Sequence, residues 1–147
     1  MDREDYMREA LALAETSRAE GEVPVGCVIV YNGEIIARGR NRREQNQSAL
    51  GHAELEAISE ACARLGSWRL EDCSLYVTLE PCSMCAGAII NARIGKVFFG
   101  ARDRAAGACG GVLNIFEENF GHKPQLVGGI LEKECSELLS SFFRSLR

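Results

Sequence analysis

SLYVTLEPCSMCAGAII, residues Ser74 to Ile90, changes its periodicity in the middle. Ser74 to Leu79 is rich in β-formers and reads as a strand. Pro81 stands at a strand-to-helix junction, where its missing N–H costs little, and Cys82 and Cys85 fall at the helix start. Upstream, VGCVIV (Val25 to Val30) is a near-continuous β-branched run, Asn32-Gly33 is a strong hairpin signal, and Glu34 to Gly39 returns as a second strand. Between hairpin and quoted stretch, Asn41 to Ser48 is polar and irregular; from about His52 the spacing of Leu55, Ile58, Cys62 and Leu65 reads as a helix. Before the hairpin, Tyr6, Met7, Ala10, Leu11 and Ala14 recur at helical period from Asp2 to about Glu20. Downstream, Lys96 to Gly100 reads as a strand, RDRAAGACGG as a glycine-rich loop, NIFEENF as a short helix and QLVGGI as a weaker strand. Cys135, Leu138, Leu139, Phe142, Phe143 and Leu146 make the close an amphipathic helix, with acids early and arginines late as the helix dipole prefers. The order α-β-β-α-β-α-β-α-β-α predicts a mixed five-stranded sheet with helices on both faces, a three-layer α/β/α domain spanning residues 1–147.

A chain of 147 residues is long enough to bury roughly two-thirds of its unfolded surface without disulfide help. Apolar residues make up 46% and charged residues 26%, and no apolar run approaches the roughly 18 residues of a membrane span, which argues against a membrane role. MDREDYMREALALAE lacks the basic start and apolar stretch of a secretory signal, so an intracellular, cytoplasmic location is expected. Seven cysteines is an odd number for a disulfide framework; Cys27 and Cys62 lie on patterns of buried strand and helix, and most thiols are expected to be reduced core residues. A net charge of −4 argues against indiscriminate nucleic-acid binding.

Two segments carry chemistry: His52-Ala53-Glu54 and Pro81-Cys82-Ser83-Met84-Cys85. Two thiols three residues apart at a helix start converge on one point, and the helix N-terminus favours their thiolates. His52, one of two histidines, starts the other helix able to face them. One imidazole and two thiolates leave tetrahedral zinc an open fourth position, as catalytic sites do. Glu54, two residues on, is placed to accept a proton from attacking water and pass protons to a ring nitrogen and departing ammonia. Taken alone, Cys82 and Cys85 also read as a redox pair or half a structural zinc knot, and Glu54 as a solvated helix carboxylate. HxE followed by PCxxC is instead the signature of zinc nucleobase deaminases.

GEVPVGCVIV, GRNRRE, GHAELEAI, LGSWRL, LYVTLEPCSMCAGAIINARI, VFFGARD and GILEKECSELLSSFFRSLR together make the chain resemble the bacterial tRNA-specific adenosine deaminases, of the zinc-dependent cytidine/deoxycytidylate deaminase superfamily, nearly end to end. The resemblance implies a cytidine-deaminase-like fold, a homodimer with one Zn2+ per subunit, and conversion of the wobble adenosine of an arginine tRNA anticodon to inosine. It makes His52, Cys82 and Cys85 the metal ligands and Glu54 the proton shuttle. It puts Asn41 on the flipped purine, Val25 on the wall of the base pocket, Asp103 on the nucleotide backbone or ribose, and Phe142-Phe143-Arg144 on the anticodon loop. Asn41 also reads as a turn asparagine, Asp103 as a loop cap and the two phenylalanines as a core pair. The chain departs from the family at Ser48-Ala49-Leu50-Gly51, where proline-threonine-alanine is common, and at Arg104; a lysine-rich tail found in some relatives has no counterpart.

The expected RNA partner, an anticodon stem-loop, needs positive charge. Arg38, Arg40, Arg42, Arg43, Arg93, Lys96, Arg102, Arg104, Arg144 and Arg147 predict a basic rim around the pocket of an acidic body. Two rivals share the zinc motifs: a deaminase of a free base or nucleoside of guanine or cytosine type, and a zinc-bearing RNA-binding subunit without catalysis. The FGARD loop and the FFR-containing end favour tRNA over the first, and the intact Glu54 argues against the second.

Overall fold

The structure is a computed structural model that describes residues 1–146. Its elements run α1 (Arg3–Ala19), β1 (Gly26–Tyr31), β2 (Glu34–Arg40), α2 (Arg43–Asn46), α3 (Ala53–Leu65), β3 (Cys73–Leu79), α4 (Ser83–Asn91), β4 (Lys96–Ala101), a 3-10 turn (Ile115–Glu117), β5 (Gln125–Val127) and α5 (Glu132–Ser145). The strands form one sheet in the order β2-β1-β3-β4-β5. β1 is antiparallel to β2 and β3, whereas β3, β4 and β5 are mutually parallel. This is the expected mixed five-stranded sheet. Two details differ from the sequence reading: the polar stretch after β2 contains the short helix α2, and NIFEENF contributes only a 3-10 turn.

Strand period sends alternate side chains into two separate cores. Cys27, Ile29, Leu75, Val77, Val97 and Phe99 point to the face covered by α3 and α4, where Ala53, Ala57, Ala61, Ala86 and Ile89 meet them. Val28, Val30, Tyr76 and Phe98 point the other way, against Tyr6, Met7 and Ala10 of α1 and Cys135 of α5. Tyr76 stacks on Phe98 with ring centroids 4.5 Å apart. Helices therefore lie on both faces.

The helix α3 buries a different stripe from the one its large side chains suggest. Ala53, Ala57 and Ala61 are fully buried, whereas Leu55, Ile58 and Cys62 are only partly covered and Leu65 is exposed. The cause lies on β2: a β-carbon at Gly39 would run into the Ala53 carbonyl oxygen and come within 2.9 Å of the Ala57 nitrogen. Glycine and alanine let the helix backbone lie directly on the sheet. Gly26 does the same for α1 on the opposite face, against the Ala10 carbonyl and 2.8 Å from the Ala14 nitrogen.

The register collects the functional segments at one end of the sheet. Gly26 pairs with Arg40 and Leu79 with Ala101, so Val25, Asn41, Glu80 and Asp103 leave the sheet side by side.

Candidate active site

Both sequence motifs lie at helix N-termini. His52 is the N-cap residue of α3 and Cys82 that of α4, each with extended backbone and no side-chain capping bond, so imidazole and thiol are free for other work. His52 Nδ1 lies 3.7 Å from Cys82 Sγ and 3.5 Å from Cys85 Sγ. All three donor atoms fall within 4.8 Å of one another, and no other such group of three or more His, Cys, Asp or Glu donors occurs among the described residues. Tetrahedral zinc, with nitrogen at about 2.0–2.1 Å and sulfur at about 2.3 Å, separates those two ligands by about 3.6 Å. The two His52–cysteine spacings match that value, and His52 and Cys82 also line the adjoining cavity.

The electrostatics suit a cation. The Cys82 thiol falls to about 3, first because Cys85 donates to it and then because His52 does, against the opposing effect of burial. The same hydrogen bond, with burial, holds the Cys85 proton in place and pushes that thiol upward. His52 is raised by its hydrogen bond to Cys82. A dication held by the three would displace the shared protons and favour both thiolates, assisted by the N-terminus of α4.

Glu54, one residue inside α3, is buried and pushed up to about 7, foremost by loss of solvent. Its neighbours His52 and Cys82 act on it in opposite directions. A carboxyl poised near neutrality can both accept and return a proton. The cavity beside it has a volume of about 180 Å³. That is on the scale of one ring system rather than of the drug-sized ligands whose pockets run about 300–1,000 Å³. Val25, Asn41 and Asp103 all line it, together with Arg43, Leu79 and Ala106.

The alternatives left open at Asn41 and Asp103 coexist with a place in the cavity. Asn41 Nδ2 donates to the Val23 carbonyl (3.1 Å) and Oδ1 accepts from the Arg43 N–H (3.0 Å), so it is a turn asparagine whose amide keeps one N–H and one lone pair for a ligand. Asp103 Oδ1 caps the Ala105 and Ala106 N–H groups at 3.0 and 3.1 Å. The phenylalanines divide: Phe142 is core, and Phe143 is 48% exposed.

The basic rim is partial. Arg43 lines the cavity, and Arg102 and Arg104 lie in the adjacent loop. Arg40 instead makes a two-pronged bond to Glu20 at 2.9 and 3.1 Å, Arg42 Nε lies 3.1 Å from Glu56 without hydrogen-bond geometry, and Arg38 faces Glu9 at 3.8 Å. Arg93 follows the far end of α4 and Lys96 begins β4, away from the site, while Arg144 pairs with Glu137 at 2.8 Å. Arg147 lies outside the described residues.

Two buried acids escaped the sequence reading. Glu22 accepts from the Glu44 and Gln45 N–H groups at 3.1 and 2.7 Å, holding the first turn of α2 beside Asn41. Glu80 gathers backbone N–H groups from the glycine-rich loop. Each directly or nearly precedes a proline, Pro24 and Pro81, in an otherwise apolar setting, and that was the available signal.

Three metal donors, which would leave tetrahedral zinc one open position, and a buried carboxyl beside them are what metal-assisted hydrolysis requires, and they place the chain among zinc-dependent hydrolases. Comparison with known proteins narrows this. The family model of the cytidine and deoxycytidylate deaminase zinc-binding region matches residues 1–101, and the chain belongs to that family. It is similar to the tRNA-specific adenosine deaminase of Bacillus subtilis (strain 168), 53% identical over 97% of this chain and 89% of the relative. It is also similar to a solved structure from studies of A-to-I editing by tRNA:A34 deaminases at the wobble position of transfer RNA. That match has a TM-score of 0.88 and 41% identity, and covers 93% of this chain and 100% of the other. The guanine deaminase structure from Bacillus subtilis matches at 42% identity with a TM-score of 0.66, covering 69% of this chain and 66% of that one.

Proposed function

We propose that this chain is a zinc-dependent hydrolytic deaminase that converts adenosine to inosine at the wobble position of a tRNA anticodon, with an arginine tRNA as substrate, acting as a cytoplasmic homodimer. The observation that carries the reading is the extent of the likeness. The tRNA-deaminase structure matches 93% of the chain, whereas the guanine deaminase, equally identical where it matches, covers 69%. No described helix is long and apolar enough to cross a membrane.

The residues take the following parts. His52, Cys82 and Cys85 hold zinc, which supplies the Lewis acidity that makes water a nucleophile near neutral pH. Glu54 accepts a proton from the attacking water and gives it to the purine ring nitrogen, then takes the remaining proton from the added oxygen and passes it to the amino group, which leaves as ammonia; adenosine and water become inosine and ammonia. Val25 and Leu79 offer the extruded base an apolar wall. The free N–H and lone pair of the Asn41 amide meet its polar edge. Arg43 and the Asp103 loop face the sugar and phosphates.

The test incubates zinc-loaded protein with an arginine tRNA carrying an ACG anticodon and, separately, with guanine, cytosine, adenosine and cytidine, scoring inosine in RNA and free ammonia. Inosine at the wobble position is expected. Ammonia from a free base with no inosine in RNA would overturn the substrate.

A further inference from the structure

Glu80 belongs to neither the metal trio nor the proton shuttle, yet its side chain is 0% exposed. Its own N–H donates to the Ala101 carbonyl at 2.8 Å, which fixes it beside the end of β4. Its carboxylate is the hub of the loop that follows. Oε1 accepts from the Asp103 N–H at 3.0 Å, and Oε2 accepts from the Cys109 and Gly111 N–H groups at 2.9 and 2.8 Å. Arg102 Nη1 lies 3.6 Å from Oε1. The loop is wound so closely that a β-carbon at Gly107 or Gly111 would run into both this carboxylate and the Asp103 carbonyl. The next two residues extend the attachment: the Pro81 carbonyl accepts from the Ala108 N–H at 2.9 Å, and Cys82 bridges to Gly107. One short segment thus carries a zinc ligand and anchors the loop that supplies Asp103 and Ala106 to the cavity wall.

We propose that Glu80 is a positioning residue for substrate recognition: by gathering the Asp103, Cys109 and Gly111 amides it keeps Asp103 and Ala106 against the bound nucleotide, and so governs KM for RNA. The inference rests on the tRNA reading above. A loop containing Gly107, Gly110 and Gly111 has many alternative conformations, and among the described residues nothing else accepts from these three N–H groups. Without the carboxylate they are left unpaired and the binding-competent loop is populated only part of the time. Apparent affinity then falls by that fraction, while the bound complex reacts as before.

The experiment compares wild type with Glu80→Gln, whose amide NH2 cannot accept, on an anticodon stem-loop. Zinc content and backbone amide exchange are measured in parallel. Expected are unchanged zinc, a kcat within about threefold, a roughly tenfold higher KM, and faster exchange confined to Asp103, Cys109, Gly111 and their loop. Gly111→Ala, which keeps the charge but drives a methyl into the Asp103 carbonyl and towards the carboxylate, is expected to give the same split should Glu80→Gln fold poorly. A variant that only melts earlier, with KM of its zinc-loaded fraction unchanged, overturns the assignment, as does a fall in kcat at constant KM. Wild type that edits no stem-loop refutes the substrate alone. Glu80 is then judged by loop exchange and by KM for whichever free base is deaminated, and no change in either overturns it.

Discussion

Replacing Gly39 by alanine tests whether the metal site depends on how closely α3 lies on the sheet. The new methyl would overlap the Ala53 carbonyl oxygen and sit 2.9 Å from both the Ala57 nitrogen and the Glu56 β-carbon, so it meets helix backbone that has no rotamer to yield. The helix must lift by about an ångström, and overpacking of this kind costs about 1–3 kcal/mol. His52 caps the first turn of that helix and Glu54 lies within it, while Cys82 and Cys85 belong to α4 and stay where they are. A displacement of about 1 Å between reacting groups costs on the order of a hundredfold in rate. Gly39→Ala is therefore expected to lose both zinc affinity and kcat, measured by metal analysis and steady-state deamination at a temperature where the variant is folded by circular dichroism. Gly26→Ala is the matched control: its methyl strikes α1 in the same way on the other face, so it is expected to lose similar stability, about 1–3 kcal/mol, while keeping zinc. A Gly39→Ala protein that melts early but retains full zinc and wild-type kcat would refute the reasoning.

Glu54→Gln is expected to retain one zinc per chain and lose about 10²- to 10⁴-fold in kcat, whereas His52→Ala loses the metal itself; an active Glu54→Gln enzyme rules out the shuttle. In metal-free protein the Glu54 carboxyl stands at about 7 when folded against its ordinary 4.5, so burial disfavours its ionised form. The stability of the protonated carboxyl is therefore fully present below about pH 4.5 and is lost as pH rises through about 7, and urea titrations of wild type against Glu54→Gln across this window will show it. Burial raises the Cys109 and Cys135 thiols to about 12, so iodoacetamide at pH 8 is expected to spare both in folded protein and to label both in urea; mass spectrometry of peptides distinguishes the outcomes.

Local chemistry was legible in the linear chain because it is carried by neighbours in sequence. The Pro81 junction, the Asn32-Gly33 turn and the β-forming run from Ser74 to Leu79 gave the sheet, and the histidine and cysteine spacings gave the ligand trio that the structure brings together. The face of α3 was not legible, because the largest apolar side chains usually mark the buried stripe. Here Gly39, on a strand of the sheet, brings the helix backbone so close that alanines fill the contact, leaving Ile58 only partly covered and Leu65 exposed. The basic rim was overread for a similar reason: sequence shows that Arg38, Arg40 and Arg42 are cationic, but not that Glu9, Glu20 and Glu56 lie opposite them. Motif spacing by itself thus named the metal donor set and the carboxyl proposed to move protons, since coordination chemistry dictates residue types. Only tertiary structure decided that Glu54 is buried to near neutrality and that Glu80 binds a loop over twenty residues away, because desolvation and converging N–H groups depend on what the fold packs around them.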